Sequence, residues 1–288
     1  MLKIIADGIK SQVSSQVLNH DAITELALAA FFAGGHILLS GPTGLGKTRW
    51  ARAFAGALGL SYGEVIFADD CQEVKPPHGT LIPQVYQADI TGCAPAWTNP
   101  SVIEAIDRQG QGFDFAGSAY PLPTPHFIIV SCNETQSVAK AVADRFMMKL
   151  YVNYPGIAAE KQILQMHHAA PDTEPAPVCT PDSITQAKRE VQAVAVDDAV
   201  FNYIVSIAET TRRIGVIQTG ASTRASISLM QAAKAYAAIN GREYATIDDV
   251  RNLAIPVLRH RVTLRPETLK QGVHTDQIIE SIVIGRRM

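Results

Sequence analysis

The chain has 288 residues, 47% hydrophobic and 18% charged, enough apolar mass for two modest domains that each bury a core. A formal net charge of −2 builds in no overall attraction to nucleic acid or to an acidic membrane, and speaks against both as partners. The four cysteines, Cys71, Cys93, Cys132 and Cys179, are far apart and contain no C-x-x-C pair, which argues against a zinc framework and fits a reducing compartment.

After a weakly amphipathic N-terminal stretch, Asp21 to Ala33 is rich in Ala and Leu and opens on an acidic residue suited to a helix start. The longest apolar run, Leu26 to Ala33, is too short to cross a bilayer, so the chain reads as a soluble cytoplasmic protein beginning at Met1. Apolar runs at His36–Ser40, Val65–Ala68 and Phe127–Ser131, separated by helical patterns, have the alternation of a parallel sheet covered by helices. Met147 to Val152 adds a further candidate strand, and the glycine-aromatic run from Gly110 to Gly117 reads as a hairpin.

The proline-rich stretch AAPDTEPAPVCTP, Ala169 to Pro181, is an expected exposed connection. It divides the chain into an α/β unit at 1–170, a linker at 171–181 and a helical unit at 182–288. In the last unit, Asp182–Val194, Asp197–Thr211, Ser222–Ile239 and Thr246–Leu258 carry helical spacing.

The strongest motif is Gly41-Pro42-Thr43-Gly44-Leu45-Gly46-Lys47-Thr48, which matches G-x-x-x-x-G-K-[ST] between the apolar run HILLS and the helical stretch RWARAFAGAL. Glycines at these places let backbone N–H groups converge on phosphate oxygens at the positive end of the following helix. Gly41, Thr43, Gly44, Leu45 and Gly46 therefore form the expected cradle. Lys47 neutralises the β and γ phosphates of ATP from a surface position, and the Thr48 hydroxyl is a ligand for Mg²⁺.

Several strings around this motif resemble the MoxR family of AAA+ ATPases: AGGHILLSGPTGLGKT, QADITG, YPLPTPHFIIVSCNE, ADRFMMKLYVNYP and the long block from GASTRASISLM to LRHR. The resemblance spans both halves of the chain. It implies a P-loop AAA+ α/β domain followed by a small all-helical lid, with ATP and Mg²⁺ held between subunits of a hexameric ring. It also implies ATP hydrolysis coupled to remodelling of client proteins, as in metal or cofactor loading, with von Willebrand factor A domain proteins among the partners. On this resemblance Asn133 corresponds to the sensor that positions the attacking water, and Arg145 to the arginine that reaches into the next subunit's site. Arg224, in the first turn of a helix capped by Ser222, corresponds to the lid arginine that senses the γ-phosphate.

The family also carries an acidic Walker B pair after its D-I-T-G segment, and nothing in CAPAWTNPS provides it. The candidate in this chain is Val65-Ile66-Phe67-Ala68-Asp69-Asp70, which lies before that segment. It reads either as the acidic pair, with Asp69 toward Mg²⁺ and Asp70 toward the attacking water, or as the second strand of the sheet. Asp70 stands where glutamate is usual, so hydrolysis is expected to be slow, and a nucleotide-gated assembly module without useful turnover is the alternative. Adjacent histidines at His167 and His168 lack the spacing of a metal site. The run Arg259-His260-Arg261 reads as a contact to nucleotide or a neighbour, or equally as a solvated helix end.

Overall fold

The computed structural model describes residues 1–66, 84–90, 113–115, 118–120, 123–133, 138–169 and 175–285. In chain order the first part contains α1 (Leu2–Gln16), α2 (Asp21–Phe32), β1 (Ile37–Ser40), α3 (Lys47–Ala57), β2 (Tyr62–Ile66) and β3 (Val85–Asp89). There follow the short strands β4 (Phe113–Phe115) and β5 (Ser118–Tyr120), then β6 (Phe127–Cys132), α4 (Lys140–Ala143), β7 (Met148–Tyr151) and α5 (Ile157–Ala169).

Five strands form one parallel sheet in the order β2-β3-β6-β1-β7. The two strands at its centre, ILLS and FIIVSC, are buried along their whole length, as expected for strands covered on both faces. Ser40 is in register with Cys132 on one side and Tyr151 on the other, so the chain leaves β1 into the phosphate loop between two strand ends. β4 and β5 pair antiparallel; β4 falls within the glycine-aromatic run and β5 lies just beyond it.

Aromatic packing fixes the loop's outgoing helix. Trp50 and Phe54 of α3 stack with ring centres 5.2 Å apart, and Phe31 of α2 meets Phe127 of β6 edge-on at 5.6 Å. The Trp50 indole N–H, fully buried, is satisfied by the Thr24 hydroxyl at 3.0 Å. A helix held this way over the sheet gives the loop before it a defined starting point.

The second part contains α6 (Pro181–Ala193), α7 (Asp198–Arg213), β8 (Ile217–Thr219), α8 (Thr223–Ile239), α9 (Ile247–Leu258), β9 (Thr263–Leu264), α10 (Pro266–Lys270) and α11 (Thr275–Ile284). Side-chain caps start four of these helices, from Thr180, Asp197, Ser222 and Thr246. The first sits two residues before the acidic start expected from sequence, with Pro181 in the first turn. The segment 175–180 lies along α3, where the Val178 N–H donates to the Ala57 carbonyl at 2.8 Å and Cys179 is buried. One apolar cluster runs without a break from Leu2 to Val283, because α2 packs against both α6 and α8.

Candidate functional site

The phosphate loop turns at the C-terminal end of β1. A side chain at Gly41 would place a Cβ 2.3 Å from the Val152 carbonyl oxygen, so only glycine lets the chain pass β7 here. Gly46 begins α3 in the left-handed region at φ 78°, the conformation that swings the loop's amides toward the helix axis. Lys47 does not stand out into solvent as the sequence suggests. Its side chain is 6% exposed and folds back so that Nζ donates to the carbonyls of Gly41 at 2.7 Å and Pro42 at 2.8 Å. Burial lowers its pKa, and the charge of Asp89 partly offsets that. An ammonium folded onto neutral carbonyls is a cation for which an incoming phosphate is the better partner.

Behind the loop lies a polar network that local sequence patterns did not reveal. The Thr48 hydroxyl donates to Glu64 Oε1 at 2.9 Å, and Gln87 Nε2 approaches Thr48 Oγ1 at 3.3 Å and Ser131 Oγ at 2.7 Å. Tyr62 donates its phenolic proton to Gln87 Oε1 at 2.8 Å, and burial together with the charge of Glu64 keeps that phenol protonated. Asp89 ends β3 in register with Ser131. Asn133 follows Cys132, whose carbonyl accepts from the Gly41 N–H at 3.1 Å, so it adjoins the base of the loop.

Asp69 and Asp70 lie outside the described residues. The strand that leads toward them, β2, is the outermost of the sheet, with β3 and β6 between it and β1. The carboxylates that the described residues bring to the phosphate loop are Glu64 and Asp89. Hard oxygen donors of this kind suit Mg²⁺, which binds through one or two carboxylates plus nucleotide phosphates. Among the described residues no three His, Cys, Asp or Glu side chains gather into a metal cage, and a magnesium–nucleotide site needs none.

A cavity of about 390 Å³ opens beside the loop. Its walls come from Thr43 to Gly46, from the end of α1 through His20, and from Asn153 to Pro155 together with one face of α5. His167 belongs to this wall and not to a metal site, since its Nε2 lies 2.6 Å from the Arg49 guanidinium. Size and position suit the base and sugar of a nucleotide whose phosphates enter the loop.

Arg145 and Arg224 come together elsewhere, at the N-terminal end of the sheet. Both line a second cavity, of about 560 Å³, with Gly34, Gly35 and His36, the residues that lead into β1. The whole of β1, roughly 13 Å, separates this end from the loop. Arg224 pairs with Asp144 at 2.8 Å, which answers the misplacement of a cation in the first turn of α8. Arg145, the next residue after Asp144, donates to the Ala141 carbonyl.

Arg261 holds this arrangement in place and is no solvated helix end. Its side chain is 1% exposed, lies 3.3 Å from Asp144 through Nε, and donates to the carbonyls of Asp144 (3.1 Å), Phe146 (2.8 Å) and Val257 (3.2 Å) and to the Ser228 hydroxyl (3.0 Å). Burial draws its pKa down to about 10 against the pull of Asp144. The neighbouring His260 is half-buried, and desolvation lowers its pKa and keeps it neutral while Nε2 donates to the Phe146 carbonyl at 2.9 Å. Helices α8 and α9 are thus tied to the segment that carries Arg145.

A parallel sheet ordered 2-3-6-1-7, a phosphate loop leaving the inner strand β1 and a C-terminal helical lid define a P-loop protein of the AAA+ class. A family model described as an AAA lid domain matches residues 210–282. The chain is 31% identical over 282 residues to the uncharacterized protein YeaC of Bacillus subtilis, covering 91% of this chain and 88% of that protein. It is 26% identical over 308 residues to the chaperone MoxR1 of Mycobacterium tuberculosis, covering 96% and 78% respectively. A crystal structure from Cytophaga hutchinsonii, of a protein described provisionally as an ATPase, superposes with a TM-score of 0.88 at 24% identity, over 98% of this chain and 94% of that one. The chain belongs to the MoxR family of AAA+ ATPases.

Proposed function

We propose that this chain binds Mg²⁺–ATP in the loop Gly41 to Thr48, assembles into a ring, hexameric in the family pattern, and hydrolyses ATP slowly to remodel client proteins. The observation that carries this reading is Lys47, buried and folded onto loop carbonyls beside a cavity that suits a nucleoside. The amides of Gly41, Thr43, Gly44, Leu45 and Gly46 hold the phosphates, and Lys47 moves from carbonyl to phosphate oxygen. Bound Mg²⁺, reached by the Thr48 hydroxyl, would spread the charge of the β and γ phosphates. Asn133, beside the loop, orients the attacking water.

Arg145 and Arg224 lie at the other end of the sheet from their own loop, so each acts on the nucleotide of a neighbouring subunit. Such an arginine is worth about 10³ to 10⁵ in rate where it has been measured in other NTPases. The name of MoxR1 as a chaperone supports a protein client, and a von Willebrand factor A domain partner or a metal- or cofactor-loading role extends that reading. Among the described residues no helix is long and apolar enough to cross a membrane.

One observation favours a second reading, in which ATP gates assembly without turnover: β3 ends at Asp89 and the next residue is Ile90, so no second carboxylate directly follows the first. Phosphate release and sedimentation decide between the two. Nucleotide-dependent rings with phosphate release that saturates in ATP support the ATPase, whereas rings that hold ATP intact support the gated module. A protein that stays monomeric with a non-hydrolysable ATP analogue at tens of micromolar would falsify both.

A further inference from the structure

A phosphate-loop threonine that turns an oxygen lone pair toward a cation must send its proton elsewhere, and a nearby carboxylate is the strongest acceptor for it. In this chain the acceptor is Glu64 Oε1, 2.9 Å from Thr48 Oγ1. Glu64 comes from β2, the edge strand. Its in-register neighbour on β3, where an inner strand faces the same threonine, is the neutral amide Gln87. Gln87 is fully buried and oriented by three partners, so it holds Thr48 and Ser131 in place but brings no charge. Asp89, two residues beyond Gln87 and therefore on the same face of β3, adds a second carboxylate close enough to influence Lys47.

We propose that Glu64 is the carboxylate that shares the nucleotide's Mg²⁺ with Thr48, with Asp89 behind it as the second. The assignment rests on the reading that this loop binds ATP. It moves the metal carboxylate one strand outward from the inner strand β3. The chemistry agrees with the demands of Mg²⁺, which keeps several waters and asks the protein for few oxygen ligands. Contact through one oxygen to Thr48 leaves the second carboxylate oxygen to face a cation or its water.

The test is ATP affinity, by titration of a fluorescent ATP analogue, in EDTA and in millimolar Mg²⁺. Wild type is expected to gain affinity with Mg²⁺. Glu64→Gln, close in shape and still able to accept from Thr48, is expected to lose about 10–100-fold of that gain, with metal-free affinity that holds or rises because a negative charge near the phosphates has gone. Glu64→Asp keeps the charge on a shorter stem and is expected to fall between, which covers the case where the glutamine variant folds poorly. Electron paramagnetic resonance of Mn²⁺ with ATP gives a readout independent of affinity, and its bound signal is expected to weaken in Glu64→Gln. A full Mg²⁺ gain in Glu64→Gln overturns the proposal, as does a loss confined to Asp69→Asn. A wild-type protein that binds no ATP in either buffer removes the nucleotide reading and this assignment together, whereas binding that ignores Mg²⁺ in wild type removes the assignment alone.

Discussion

At the C-terminal end of β1 a buried cation, Lys47, sits among backbone carbonyls and near the carboxylate of Asp89; at the N-terminal end a carboxylate, Asp144, sits between the guanidinium groups of Arg224 and Arg261. Both ends bury charge, but they satisfy it differently. Lys47 is held by two neutral acceptors that a phosphate can replace, since a charge-assisted bond outcompetes a neutral one. Arg261 is held by five neutral acceptors and a carboxylate drawn from α8, α9 and the segment 144–147, and nothing on that scale can be exchanged without opening the fold. One end holds its charge on partners that an anion can replace, and the other encloses Arg261 in partners drawn from three elements.

If the two ends meet across subunits, the largest effect belongs to Arg145. Arg145→Ala is expected to cut ATP turnover by about 10³-fold or more while nucleotide affinity of the isolated chain changes little. Subunit mixing sharpens this: Arg145→Ala and Lys47→Ala chains, each inactive alone, are expected to recover turnover together because the second supplies the arginine that the first lacks. Recovery no greater than the sum of the separate rates would mean that the two ends do not form a shared site.

Next in size is Lys47→Ala itself, measured by ATP titration. It is expected to lose affinity by about 10²-fold or more, since one buried charge-assisted bond contributes roughly 3 kcal/mol at the upper end of its range. Its melting temperature is expected to stay close to wild type or rise, because a desolvated ammonium leaves the fold. A large drop in melting temperature would show that Lys47 is built into the structure as firmly as Arg261.

For Arg261→Leu the prediction is the reverse, a loss of about 3–5 kcal/mol of stability in urea unfolding, because Asp144 and several carbonyls lose a buried partner. ATP affinity of the folded fraction is expected to hold. Destabilisation under about 1 kcal/mol would mean that water replaces the guanidinium readily, and that the arginine end is as exchangeable as the lysine end.

The smallest effect is in pH. His36, at the arginine end, is fully buried, and desolvation followed by the charges of His126 and Lys188 lowers its pKa from 6.5 to about 3. Its Nδ1 accepts from the Ile128 N–H at 3.1 Å. Between these values the unfolded chain binds the proton and the folded chain does not, so stability is full above pH 6.5 and falls as pH drops toward 3. His260, also depressed, acts in the same sense. His36→Gln, which preserves an acceptor, is expected to flatten the stability curve between pH 5 and 4 by about 1.4 kcal/mol per pH unit. An unchanged slope would place the acid sensitivity elsewhere.

Features that depend on neighbours in sequence were legible before the fold. The phosphate loop is one, because its chemistry lies in consecutive backbone amides and one lysine. The caps at Asp197, Ser222 and Thr246 are others, since a cap bonds an amide three residues away. Strand β3 was harder to read. VYQAD carries a glutamine at its centre, and that amide is tolerated in the core only because Tyr62, Ser131 and Thr48, 25 to 44 residues distant, take up its bonds. Glu64 gave no local signal for the same reason, and the partners of Arg261 in the segment 144–147 lie 114 to 117 residues away.

What the sequence by itself determined is the place of the loop between a strand and a helix, the alternation of strands and helices, and a likeness broad enough to indicate the MoxR family. Local hydrogen-bond geometry and apolar periodicity act over a few residues and survive in any context. Which carboxylate faces Thr48, and that Arg145 and Arg224 share an end of the sheet away from their own loop, were decided only when the strands took the order β2-β3-β6-β1-β7. Strand order is set by burial of whole faces across the sheet, a sum over many distant residues, and no short window of sequence contains it.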